Sequence, residues 1–194
     1  MGKLLYLMGK SASGKDTQYK RLMEAFPALS SVVMYTTRPM REGEENGREY
    51  HFVTEAQLQE FLEAGKVIEL REYQTAHGPW KYFTPEDGQI DVQSNSYLLM
   101  GTLESYEKMR AYYGRETIVP IYLEVEDGLR LERAVQREKT QDQPKYEELC
   151  RRFLADAKDF SVERLEEAGI TRIFQNQDAE TCFSEIGIYI QENL

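Results

Sequence analysis

Apolar positions in this chain gather into short, nearly continuous runs. Leu4–Met8, Val67–Leu70, Tyr97–Met100, Ile118–Val125 and Arg172–Phe174 read as strands. Runs of this length without polar alternation suit strands covered on both faces. Between them the apolar spacing turns helical. From Thr17 to Phe26, the side chains of Tyr19, Leu22, Met23 and Phe26 share one face. Thr54-Glu55-Ala56-Gln57 reads as a capping box, and Gly65 as the stop of that helix. Asp178 caps a last helix that continues through Phe183, Ile186 and Ile190. Strands alternating with helices predict an α/β fold, with a parallel sheet core and helices on both faces.

Two stretches break the alternation. Thr36 to Pro85 is dense in charge, glycine and aromatic residues, and its Glu69–Tyr73 and Tyr82–Thr84 pieces suit a small β-rich lobe. Asp127 to Phe160 is strongly polar and is broken by Thr140-Gln141-Asp142-Gln143-Pro144. That pattern predicts two helices joined by a mobile loop, the usual build of a lid.

The chain has 194 residues, enough for one core with small appended lobes. Its net charge of −10 opposes a general nucleic-acid surface, so any phosphate site must gather its Lys and Arg locally. Cys150 and Cys182 lack metal or redox spacing and read as thiols of a reducing compartment. Gly2-Lys3 leads only one short apolar run, and no apolar segment approaches spanning length. A cytoplasmic protein with no membrane partner is expected. His51 and His77 are the only histidines, which disfavours a histidine metal site or triad.

The first strand runs directly into Gly9-Lys10-Ser11-Ala12-Ser13-Gly14-Lys15, with Asp16 and Thr17 opening the helix. Glycine lets the backbone approach a phosphate and turn its N–H groups inward. Lys15 then reaches the outer phosphates, and the helix points its positive end at them. The usual hydroxyl after the lysine is replaced by Asp16, with Thr17 next. The plainer reading is a glycine turn with a solvated Lys15, and the strand before and helix after oppose it.

A second cluster follows. Thr36-Thr37-Arg38-Pro39-Met40-Arg41 precedes Gly43-Glu44-Glu45-Asn46-Gly47-Arg48-Glu49-Tyr50. Arg38 and Arg41 can converge on one anion, because each guanidinium offers a fork of donors. Taken alone, the segment is equally well a solvated loop. In the polar stretch, Arg130, Arg133 and Arg137 recur at helical spacing, and Arg151-Arg152 lie beyond the break. An ordinary charged helix, paired by Glu132, Glu138, Glu147 and Glu148, is the plainer reading there.

In order along the chain, the phosphate loop, Thr37-Arg38-Pro39-x-Arg41-x-Gly43-Glu44-x-x-Gly47-x-x-Tyr50-x-Phe52, Glu69 and Tyr82-Phe83-Thr84-Pro85 resemble guanylate kinase. The resemblance is strongest up to Pro85. It implies a P-loop NTPase core (1–35, 86–126 and 161–194), a GMP-binding lobe (36–85) and a lid (127–160). It implies transfer of the γ-phosphoryl group of ATP to GMP with Mg²⁺. By resemblance, residues 9–17 and Asn176 bind ATP, and Arg38, Arg41, Tyr50 and Tyr82 hold the GMP phosphate. Glu69 would accept from N1 and the amino group of guanine, Thr84 would add a hydroxyl, and Lys15, Arg133, Arg137 and Arg152 would neutralise the transferring phosphoryl. A carboxylate matches guanine's two adjacent donors and finds no such pair on adenine.

The chain also departs from the family. Met34 and Tyr35 stand where the family has a serine that reaches the base. The turn Thr75-Ala76-His77-Gly78-Pro79-Trp80 is rewritten. The strand expected over Tyr97–Glu104 lacks the family's aspartates, and Ile90-Asp91-Val92-Gln93 mimics them only on a helix or loop. Asp16 is the expected replacement, organising Mg²⁺ through water. Two other classes stay open: a kinase of another phosphorylated acceptor such as a ribose phosphate, and a non-catalytic guanylate-kinase-like module that binds a protein.

Overall fold

A computed structural model of the chain describes residues 1–75 and 78–194. His77 and part of the rewritten turn lie outside the described residues. The first half contains β1 (Leu4–Gly9), α1 (Lys15–Ala25), β2 (Leu29–Ser31), β3 (Tyr35–Thr36), β4 (His51–Phe52), α2 (Glu55–Glu63), β5 (Val67–Thr75) and β6 (Gly78–Pro85). The second contains β7 (Ser96–Gly101), α3 (Leu103–Tyr113), β8 (Ile118–Glu124), α4 (Asp127–Lys139), α5 (Tyr146–Asp159), α6 (Val162–Glu167), β9 (Ile173–Gln175) and α7 (Ala179–Asn193).

Five strands form a parallel sheet in the order β2-β7-β1-β8-β9. β1 lies at its centre, and every one of its residues is buried. Because strand side chains alternate, β1 feeds two cores. Leu4, Tyr6 and Met8 pack with Tyr106, Met109 and Leu165 on one face. Leu5 and Leu7 pack with Leu22, Ile186 and Ile190 on the other. Full burial of each leucine contributes about 2 kcal/mol. This double burial is why the strand shows no polar alternation.

The second sheet has the order β4-β3-β6-β5. β5 and β6 pair antiparallel from Val67↔Pro85 to Thr75↔Gly78, which sets Glu69 opposite Thr84 and Arg71 opposite Tyr82. This is the β-rich lobe expected from Glu69–Tyr73 and Tyr82–Thr84. The polar stretch folds as two helices, α4 and α5, parted at the expected break.

The caps follow from side-chain chemistry. Thr54 and Gln57 form the expected capping box, and Asp178 accepts from Thr181 N at the start of α7. One strand reading is corrected. β7 ends at Gly101, not near Glu104, because Thr102 caps α3 and forms a box with Ser105. A side chain at Gly101 would run into the Tyr6 hydroxyl, so the close approach there admits only glycine. Asp91 lies in a turn, accepting from Gln93 N and Ser94 Oγ, apart from the sheet. Among the described residues no helix is long and apolar enough to cross a membrane.

Candidate active site

The phosphate loop joins the buried end of β1 to α1. Gly14 caps α1 at φ 87°, and no side chain caps that helix. The first-turn N–H groups are thus left for an anion. A Cβ at Gly14 would strike the Asn176 amide. Asn176 is buried, donates to Ser13 O at 2.7 Å and accepts from Gln18 Nε2 at 3.0 Å. Asn176 was expected to touch the ATP nucleoside. In the structure its amide joins Ser13 O to Gln18 Nε2 behind the loop. Ser13 buries its hydroxyl without a partner.

Lys15 donates to Gly9 O at 2.7 Å and Lys10 O at 3.0 Å. Burial lowers its affinity for a proton, opposed mainly by the charge of Asp16. A cavity of about 290 Å³ opens beside it, lined by Ala12, Gly14, Lys15, Asp16, Thr17, Arg133 and Arg137. Every one of these residues belongs to the set read from the sequence. Lys10 faces a neighbouring recess shared with Glu126, Asp127 and Gln177, and its Nζ lies 3.8 Å from Asp127.

The lid arginines divide. Arg133 donates to Asn176 O at 3.1 Å and Gln177 O at 3.2 Å, which ties α4 to the strand end behind the loop. Arg137 is exposed on the cavity wall. Arg130 instead turns inside, 1% exposed, between Asp127 at 3.0 Å and Asp156 at 3.2 Å. Asp156 also accepts from Ser11 N at 2.7 Å, so that loop N–H is already occupied. Arg152 is not brought to the cavity. It is exposed and donates to Glu148 at 2.6 Å, one helical turn away. Hydrogen bonds from Arg151 and Arg152 hold the Glu148 carboxyl down to about 2.

In the lobe, Arg38 is buried and forks onto Glu44 through Nη1 at 3.0 Å and Nη2 at 2.8 Å. Its guanidinium lies 5.6 Å from the Tyr50 ring and 5.3 Å from Phe52. Arg41 is exposed, and its backbone N–H also donates to Glu44. The Tyr50 and Tyr82 rings sit 5.6 Å apart. Burial, then the neighbouring Tyr82, raises the Tyr50 pKa, and more distant Asp16 adds to it. Tyr50 is therefore a neutral donor facing a site rich in guanidinium.

Glu69 is buried on β5. It accepts from Arg71 Nε at 2.9 Å, Arg71 Nη2 at 3.1 Å and Thr84 Oγ1 at 3.0 Å. Sequence reasoning missed Arg71. The signal was its place two residues after Glu69 on a strand, which puts both side chains on one face.

The described residues hold no group of three or more His, Cys, Asp or Glu that could bind a metal by themselves. A nucleotide-borne Mg²⁺ needs less, since it is bound through one or two carboxylates, waters and phosphate oxygens. Asp16, exposed in the first turn of α1 beside the cavity, fits that requirement, with the Thr17 hydroxyl next to it.

The guanylate kinase family model matches residues 1–79. Guanylate kinase of Nitratidesulfovibrio vulgaris is 32% identical over an alignment covering 100% of this chain and 88% of that protein. Guanylate kinase of a Nostoc species is 35% identical over 51% of this chain and 48% of its own length. Among solved structures, guanylate kinase from Anaplasma phagocytophilum superposes with a TM-score of 0.68 at 20% identity, over 98% of this chain and 85% of that one. That last likeness concerns the fold.

Proposed function

The chain belongs to the guanylate kinase family, and from that premise we propose that it transfers the γ-phosphoryl group of ATP to GMP, yielding ADP and GDP. The observation that carries this reading is the cavity where Lys15, Arg133 and Arg137 meet the uncapped end of α1. A GMP phosphate oxygen attacks the γ-phosphorus, and the bond to the β,γ-bridging oxygen breaks. Chemistry of this kind needs positioning and charge more than proton transfer.

Lys15 and the loop N–H groups hold the β- and γ-phosphates. Arg133 and Arg137 neutralise the oxygens of the moving group, and Arg152 joins them by leaving Glu148. Arg38, Arg41, Tyr50 and Tyr82 hold the acceptor phosphate, with Glu44 releasing Arg38 to it. Glu69 and Thr84 read the base. Asp16 and Thr17 would hold the Mg²⁺ that accompanies ATP, whose chemistry is to screen phosphate charge. We divide the chain into a core of 1–35, 86–126 and 161–194, an acceptor lobe of 36–85 and a lid of 127–160. Two unpaired cysteines, Cys150 and Cys182, suit a cytoplasmic setting.

The test is a coupled ADP-release assay with ATP–Mg²⁺ against GMP, dGMP, AMP, CMP, UMP and ribose 5-phosphate. Guanine nucleotides should exceed AMP by at least about a hundredfold in kcat/KM, the discrimination a buried hydrogen-bonding site can reach. Turnover of ribose 5-phosphate with none of GMP would replace the acceptor. No ADP release with any acceptor would favour a binding module.

A further inference from the structure

A carboxylate that reads guanine must present two free acceptor directions to the base. Glu69 does not. Its side chain is 0% exposed, and Arg71 and Thr84 place three donors on its two oxygens. A carboxylate offers about four lone-pair directions, so roughly one remains. What covers it has a telling shape. Arg71 meets Glu69 through Nε–H and one Nη2–H, two parallel donors on either side of one carbon. The N1–C2–N2 edge of guanine is itself a guanidine fragment, with N1–H and N2–H in that same relation. Resting on the acceptor reading above, we propose that Arg71 is an internal stand-in for guanine, occupying the base-reading carboxylate until GMP displaces it.

The surroundings suit an exchangeable occupant. Arg71 reaches Glu69 from two residues along one strand face, so its flexible stem can swing without moving the backbone. Beyond Glu69, its side chain meets the Tyr73 hydroxyl and the Met34 sulfur. Nη2 lies 3.5 Å from Met34 Sδ, a weak acceptor. Tyr73, the next residue on that face, is exposed and sits where the Arg71 charge opposes the effect of burial on its hydroxyl. On leaving Glu69 the guanidinium can keep its Tyr73 contact and follow that exposed ring along the strand. The exchange is balanced: two N–H donors leave the carboxylate and two arrive, and Thr84 keeps its bond. The Glu69 oxygens are never left without donors, while the opposite charge moves off with Arg71, which makes the exchange cost more than its bond count. The acceptor's affinity is then set by a competition, so GMP binds more weakly than a bare carboxylate would allow.

Arg71→Lys separates this role from simple charge neutralisation. Lysine keeps a cation beside Glu69 but lacks the two-pronged donor edge. The variant should lower the KM for GMP about tenfold relative to the wild type, with the KM for ATP unmoved, since one charge-assisted bond fewer has to be displaced. If Arg71 instead supports the base, the same variant raises the KM for GMP; if it only neutralises Glu69, the KM stays put, and either result overturns the proposal. A second readout uses the unmodified enzyme. In nitrogen-15 spectra of the arginine side chains, the Arg71 Nε–H should lose its protection from solvent exchange when GMP saturates, and keep it with AMP at equal concentration. Retained protection under saturating GMP overturns the proposal even if the variant does not fold. GMP turnover by the wild type with Arg71 unmoved removes this inference and leaves the acceptor reading standing. No GMP turnover in either protein removes both.

Discussion

Lys15 is folded onto the carbonyls of Gly9 and Lys10, which hold its ammonium in the place of phosphate oxygens. Replacing it with alanine removes the charge that, on the proposed function, meets the transferring group. Lys15→Ala should lower kcat/KM at least about a hundredfold, near 3 kcal/mol of transition-state stabilisation, with the melting temperature little changed. Asn176 gives the complementary case. Asn176→Ala strands the Ser13 carbonyl in the interior and leaves Gln18 Nε2 with only its bond to Ala179 O. It should cost about 1–3 kcal/mol in a denaturant titration and raise the KM for ATP, because the loop loses its support. Lys15 was legible from spacing alone, since the loop's chemistry is local. The support from Asn176 was not, because Ser13 and Asn176 are 163 residues apart and meet only once the sheet has formed. Arg71 was hidden for another reason. The two-residue spacing puts Arg71 on the Glu69 face, but spacing does not say that the two side chains bond each other.

The elements most readable from the sequence are those buried on both faces. β1, β7 and β8 appeared as apolar runs because both of their sides meet helices. β3 and β4 have two residues each, too few to show a period, and β2 has three with one buried. α4 and α5 were legible from charge spacing, but charge spacing could not say where each arginine points. Arg130 enters the interior against the Phe153 ring at 4.0 Å, whereas Arg152 rests on Glu148 outside. α5 has no buried residue at all, so tertiary packing holds it weakly. Its backbone should exchange hydrogen quickly in the free enzyme. A bisubstrate analogue that draws Arg137 and Arg152 onto phosphate should slow exchange in α4 and α5 by at least about tenfold. Unchanged exchange in both helices would count against a phosphate-driven lid.

At the scale of the whole molecule, backbone and side-chain bonds join the segment 36–85 to the rest, among them Glu86 N to Lys66 O at 2.7 Å. Lys108 on α3 donates to Leu70 O on β5 at 2.7 Å and is partly exposed. On the proposed function, the lobe closes when ligand bridges it to the core. Water then meets the γ-phosphate mainly in the open form, where the lid and lobe arginines are out of place. ATP hydrolysis without acceptor should therefore run below about one hundredth of the transfer rate, measured as ADP release with and without GMP. The proposed lid would not move as a free flap, because Arg130 donates to Ser11 O and Asp156 accepts from Ser11 N. That bond makes a fulcrum near the C-terminal end of α5. From Asp156 back to Tyr146 the arm is about 15 Å long, so a tilt of about 20° sweeps the tip through about 5 Å. Arg152 sits only about 6 Å from the pivot, and the same tilt carries its backbone about 2 Å. On the proposed function, the long end of the lever would cover the site, while Arg152 at the short end would reach the phosphate by unfolding its own side chain from Glu148.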